Sequence, residues 1–220
     1  MPSRHAARGS APSGADPFST GRSALLKRRG ALRQTDVMHP VFLYVPGDRL
    51  SLSELSAARI DGHVVEVGEV YVPADLIEGP DVRAGAVGSL VQPGTAAAGP
   101  TAAWIHGAGD TPPVVHHVRR CVERRIRATT SARLVFHDTV LPASDVQVLG
   151  GVRVARPERT MLDLATALHR DPRMLTWMER LALVFPDAPA AAADVLRGMS
   201  RVPGSRAGSA VLERLALRRR

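Results

Sequence analysis

Apolar and polar positions change their rhythm along this chain. Before Pro157 the apolar residues come in short runs rich in valine, separated by glycine and proline; after it they recur at helical spacing. The first run is Val41-Phe42-Leu43-Tyr44-Val45, closed by a Pro46-Gly47 turn. Ser51 and Glu54 then stand at capping-box spacing, which predicts a short helix to about Arg59. Val64–Val67 and Val70–Val72, joined by Gly68-Glu69, predict a tight hairpin of the II′ kind. Helix followed by hairpin is the back half of a winged helix; its front half is poorly represented.

Farther along, Asp81–Leu90 reads as a weak helix interrupted by Gly85 and Gly88, and Pro93-Gly94 breaks the chain. Pro100–His106 predicts a short helix ended by Gly107. Val114–Val118 and Ala132–His137 are candidate strands, and Val146–Leu149 with Val152–Val154 forms a hairpin across Gly150-Gly151. Thr160 and Asp163 repeat the capping-box spacing ahead of Leu164–Leu168, and Asp171-Pro172 suits the start of the next helix. Met174, Trp177, Met178, Leu181 and Val184 share one face of that helix, and two shorter helices are expected near 189–198 and 207–217.

The expected fold class is α+β. A small degenerate winged-helix-like module (38–92) precedes a mixed sheet domain with a C-terminal helical bundle (95–220). Residues 1–37 are rich in Ser, Gly, Pro, Ala and Arg without an apolar period, and are expected to be a disordered tail. Met38, directly before the first apolar run, is an alternative start of translation.

At 220 residues there is room for one sizeable core or two small modules. Aromatics make up only 4%, so Ala, Val and Leu must build the core. Cys121 is the single cysteine, which excludes an internal disulfide and argues against a cysteine-based metal site. No apolar run approaches the roughly 18 residues of a membrane span, and the N-terminus has no apolar signal core, so a cytoplasmic protein with no membrane partner is expected. The net charge of +8 is uneven: residues 37–98 hold eight acidic and three basic groups, between two basic flanks.

The candidate chemistry is sparse. His106, His116, His117 and His137 could suggest a metal, but His116 and His117 are neighbours on a presumed strand and point to opposite faces. No HExxH or paired-cysteine spacing exists, and P-loop, GxGxxG and GxSxG patterns are absent. The only lysine, Lys27, lies in the tail, away from any carboxylate pair a nuclease would need. No catalytic residue, metal or cofactor is therefore expected. Arg119, Arg120, Arg124, Arg125 and Arg127 place five arginines within nine residues, offset only by Glu123. They are the candidate nucleic-acid contact; the plainer reading is a solvated loop that guards a sheet edge. Arg159 and Asp163 read as structural, with Asp163 supporting a helix start and Arg159 turning back onto the sheet. Trp104 and Trp177 read as core.

Three stretches resemble the AbiEi-type antitoxin family. They are Gly99-Pro-Thr-Ala-Ala-Trp104-Ile-His106-Gly107, the run from Leu141-Pro-Ala-Ser-Asp-Val146 through Gly151-Val-Arg-Val-Ala-Arg-Pro-Glu-Arg159-Thr160-Met-Leu-Asp163-Leu-Ala165, and Arg201-Val-Pro-Gly-Ser-Arg206. The resemblance covers roughly residues 50–217, and its motif residues here are Trp104, His106, Gly107, Arg159, Thr160 and Asp163. It implies a winged helix that binds promoter DNA, and a C-terminal domain that neutralises a nucleotidyltransferase-like toxin without a stable complex. Some similar proteins continue into a nuclease-like domain, which this chain is read as lacking. The expected function is a non-enzymatic, antitoxin-like regulator of a type IV toxin–antitoxin locus. The alternative is a protein-interaction module without antitoxin or DNA-binding roles. Glu66 and Glu69 on the expected wing argue against phosphate contact there and move the candidate interface to Arg119–Arg127.

Overall fold

Ser51 sets the first element of the computed structural model, which describes residues 42–127 and 131–218. The expectations for residues 1–37 lie outside the described residues. The Ser51 hydroxyl accepts from the Glu54 amide, and the Glu54 carboxylate accepts from the Ser51 amide at 2.8 Å, closing the capping box. Helix α1 (Leu52–Ile60) follows and buries Leu55. Strands β1 (Val64–Val67) and β2 (Val70–Pro73) form the expected hairpin, with Val67 opposite Val70. Gly68 turns it at φ +61, and a Cβ there would also meet the Trp104 ring at 3.4 Å. Tyr44 bridges to Tyr71 through two backbone hydrogen bonds of 2.8 and 2.9 Å.

Helix α2 (Pro80–Ala86) is short, and a 3-10 turn at Gly88–Leu90 takes over where the glycines weaken it. Strand β3 (Thr95–Ala97) was not foreseen, because Thr-Ala-Ala carries no β-branched or aromatic run. It is nevertheless the central strand of a five-stranded sheet ordered β5-β4-β3-β7-β6. The other members are β4 (His116–Arg120), β5 (Leu134–His137), β6 (Val146–Leu149) and β7 (Val152–Ala155). Pairings β3–β4 and β6–β7 are antiparallel; β3–β7 and β4–β5 are parallel. Strand β4 begins two residues later than the apolar pattern placed it, leaving Val114 86% exposed. Pairing with two neighbours, not hydropathy, decides that register. A parallel β4–β5 pair also needs a long crossover, and the arginine-rich residues 121–127 open it.

Helix α3 (Gly99–Ile105) packs on the sheet, and after β7 the chain is helical: α4 (Pro157–Ala167), α5 (Met174–Val184), α6 (Ala188–Gly198) and α7 (Ser205–Leu217). Two expected helix starts are corrected. Helix α4 opens at Pro157, whose fixed φ suits the first turn, so Thr160 and Asp163 lie inside the helix and form no capping box. Helix α5 opens at Met174; the Asp171 carboxylate accepts from the Arg173 amide at 3.0 Å, one turn before the helix. On α5, Met174, Met178 and Leu181 are buried, while Val184 is largely exposed.

The architecture is α+β, with two main cores. Met161, Leu164, Met178, Leu181 and Leu212 centre the helical one. Gly208 lets α7 close on α4, since a Cβ there would lie 2.7 Å from the Ala165 carbonyl oxygen. Ala96, Ala97, Trp104, Ile105 and Val154 centre the other, together with Val67, Val70 and Val72 of the hairpin. Apolar packing is thus continuous across the boundary expected between residues 92 and 95.

Candidate functional site

Two motif residues meet on one carbonyl oxygen. His106 caps the C-terminus of α3, and its Nε2–H donates to Ala155 O at 2.7 Å; the Thr160 hydroxyl donates to the same oxygen at 3.2 Å. Ala155 ends β7 just before α4 begins, so these bonds tie α3 and α4 to the end of a strand. Gly107 follows His106 at φ +95, the left-handed position that ends a helix. Burial lowers the His106 imidazole below its usual range, against the Ala155 hydrogen bond that raises it, and that carbonyl acceptor holds a proton on Nε2. Trp104 is buried, with the Arg83 guanidinium 5.4 Å from its ring centroid. Arg83 also donates to the carbonyls of Trp104 and Gly109 at 2.8 and 2.7 Å.

Arg159 and Asp163 belong to a four-member chain of charges. Asp163 Oδ1 accepts from Arg119 Nη1 at 2.6 Å and from Arg159 Nε at 3.0 Å, and Arg159 Nη1 continues to Asp145 Oδ2 at 3.0 Å. Asp163 is mid-helix, so the expected support of a helix start is replaced by a link between α4 and β4. Asp163 Oδ2 is buried with no hydrogen-bond partner. The expectation that Arg159 turns towards the sheet fits its bond to Asp145, which immediately precedes β6.

This chain of charges borders a cleft of about 570 Å³ between the sheet, α4 and the loops after α4 and α6. His117, Arg119 and His137 line its floor, and Leu162, Met174, Met199, Val202 and Pro203 contribute apolar wall. His117 and Arg119 are two residues apart on β4, hence on one face; His137 lies opposite Arg119 on β5. His117 Nδ1 is 3.1 Å from His137 Nε2, and the rings stack with centroids 5.3 Å apart. Burial, then the neighbouring His137, His116 and Arg173, depress His117 to about 4, against a pull from Asp171. His137 is lowered by burial, then by Arg119 and Arg170, with Asp163 opposing. His116, on the other face, is buried with Nδ1 3.4 Å from the Thr101 hydroxyl. Among the described residues no three His, Cys, Asp or Glu side chains converge as a metal site.

The arginine cluster is divided by the fold. Arg119 turns inward to Asp163. Arg120 is 8% exposed; it pairs with Asp138 at 2.8 Å and its Nη1 donates to the carbonyls of Val122, Glu123 and Arg124, at 2.9, 2.6 and 3.4 Å. It therefore fastens the crossover to the end of its strand. Arg124, Arg125 and Arg127 are exposed. The sequence did not single out the His117–His137 pair as a unit. Its signal was the wrong one to read alone: only the parallel β4–β5 register brings the two rings together.

Residues 95–198, from the start of β3 to the end of α6, match the family described as the AbiEi antitoxin C-terminal domain. The resemblance read from the sequence is thereby shown over that span. No curated protein matches. Among solved structures, the crystal structure of the RV2827C protein from Mycobacterium tuberculosis aligns with 76% of this chain and 69% of that chain. The identity is 15% and the TM-score 0.31, a superposition too loose to transfer fold or function.

Two outcomes are expected from this geometry. Asp163→Ala leaves Arg119 and Arg159 facing each other without their carboxylate, and should lower unfolding free energy by about 3 kcal/mol in urea denaturation. A loss within error of zero would show that the carboxylate does not hold the layers together. Separately, His117 stays neutral in the folded state down to about 4, against an ordinary 6.5. Its contribution is complete above 6.5 and lost as pH falls towards 4, because the unfolded chain takes up the proton first. His117→Gln should flatten the fall in stability across that window, and an unchanged slope would contradict the burial of this ring.

Proposed function

We propose that this chain, whose residues 95–198 carry an AbiEi antitoxin C-terminal domain, is a non-enzymatic, antitoxin-like regulator of a type IV toxin–antitoxin locus. The match over those residues is the observation that carries the reading. It is supported by what the motif residues do. Trp104 fills the core, His106 and Thr160 secure the β7–α4 junction, and Arg159 with Asp163 joins helix to sheet. In this reading the domain acts as a shaped scaffold, and its partner is a nucleotidyltransferase-like toxin, neutralised without a lasting complex. We place the domain boundaries at 38–92 for the winged-helix-like segment and from 95 for the antitoxin domain.

Autorepression through promoter DNA is the second half of the proposal. The wing is a poor reader: Glu66 pairs with Arg59 at 2.9 Å and Glu69 with Arg133 at 2.5 Å. The exposed Arg124, Arg125 and Arg127 on the β4–β5 crossover are the cations best presented to phosphate, whereas Arg119 and Arg120 are engaged internally.

Co-expression with the toxin encoded next to this gene should restore growth that the toxin alone arrests. Arrest that persists with well-expressed, folded protein would remove the antitoxin reading. For DNA, a gel-shift series over salt concentration with the upstream region should give a log–log slope that falls by about 2 in the Arg124→Ala, Arg125→Ala variant. Binding with an unaltered slope would show that the crossover does not touch phosphate.

A further inference from the structure

The cleft between the sheet and α4 is not used by anything above, and its lining is unusual for a structural void. Its floor carries two stacked imidazoles and a guanidinium, and one wall carries two methionines. The carboxylates around it are each paired with arginine, Asp163 through Oδ1 alone. Asp163 is held by Arg119 and Arg159, and Asp171 by Arg173 at 2.9 Å. Arg170, at the rim and exposed, has no carboxylate partner among the described residues. The cleft therefore has an unmatched cation beside two neutral rings that can each gain a proton. The exposed guanidinium and the two rings favour an anion at the rim, on the side away from Asp163.

We propose that this cleft binds a small phosphate monoester of nucleotide size, with the phosphate against His117, His137 and Arg170 and the organic part against Met174, Met199 and Val202. The volume of about 570 Å³ lies within the range of small-ligand sites. Phosphate suits the donors: a guanidinium at the rim gives charge-assisted bonds, and the imidazole pair, joined to each other through His117 Nδ1 and His137 Nε2 at 3.1 Å, keeps one outer nitrogen per ring to donate once protonated. The two methionines are polarisable, and sulfur packs favourably on a planar heterocycle. Binding would bring its own protons. An anion over the pair offsets Arg119, Arg170, Arg173 and His116, which oppose ring protonation; Asp163 and Asp171 already favour it. The site does not depend on the antitoxin reading, and its test needs neither toxin nor DNA.

The test is a titration of the full chain, with histidine ring resonances followed by NMR and affinity by calorimetry, using inorganic phosphate and AMP as separate probes. Both probes are expected to move the His117 and His137 resonances and to raise their titration midpoints, with His106 unmoved. Tighter binding of AMP than of phosphate identifies a nucleotide as the ligand; equal binding identifies the free anion, and either supports the shared phosphate site. Arg170→Ala, at an exposed position that leaves the fold intact, should weaken binding by about tenfold. Rings that stay unmoved at millimolar concentrations of both probes overturn the proposal. So does binding by both Arg170→Ala and His137→Gln that matches that of the unsubstituted chain.

Discussion

One half-buried carboxylate, on Asp163, fixes how the helical layer meets the sheet. Placing a carboxylate there is unfavourable unless cations and hydrogen-bond donors replace the lost water. Arg119 comes from the sheet and Arg159 from the helix, and Asp145 then balances the second guanidinium. The result is a chain of two anions and two cations that crosses three segments of the backbone. Apolar packing between α4 and its neighbours is non-directional and would tolerate a sliding helix. The charges do not tolerate it, because a shift of one residue separates them. Directional polar bonds thus set the register that the two cores then fill.

The same logic explains the placing of several other polar side chains. His106 and Thr160 share a carbonyl oxygen, and Arg83 bridges two more against the face of Trp104. Each satisfies a backbone group at the end of a regular element, where the ladder or helix no longer supplies a partner. Specific residue types at specific places need not signal turnover. Here they mark junctions between elements.

Much of the fold was legible because local rules decided it. The Ser51–Glu54 box, the Gly68 turn, the Gly150-Gly151 hairpin and the later helices follow from neighbours within a few residues. The failures share one cause, which is that distant partners decided instead. Strand β3 is Thr-Ala-Ala, weak by any local measure, and it is strand only because β4 and β7 flank it. Thr160 and Asp163 imitate a helix start, but Pro157 begins the helix and long-range bonds claim both side chains. The arginine cluster was visible as composition; its division into buried ties and exposed cations was not, since Asp138 and Asp163 lie far away in sequence. The histidine pair was hidden for the same reason, its members sitting on separate strands.

The position of β3 also bears on how the chain assembles as it leaves the ribosome. Ala97 faces Val154 in the parallel pair that completes the sheet centre, and the rest of the sheet and α3 lie between them in the chain. Until β7 emerges, the central strand has one edge unpaired, and its small side chains offer little to hold it. Nascent chains paused in that interval would expose an open backbone edge, which makes the β6–β7 hairpin the step that commits the domain and the interval before it the one where chaperones matter most.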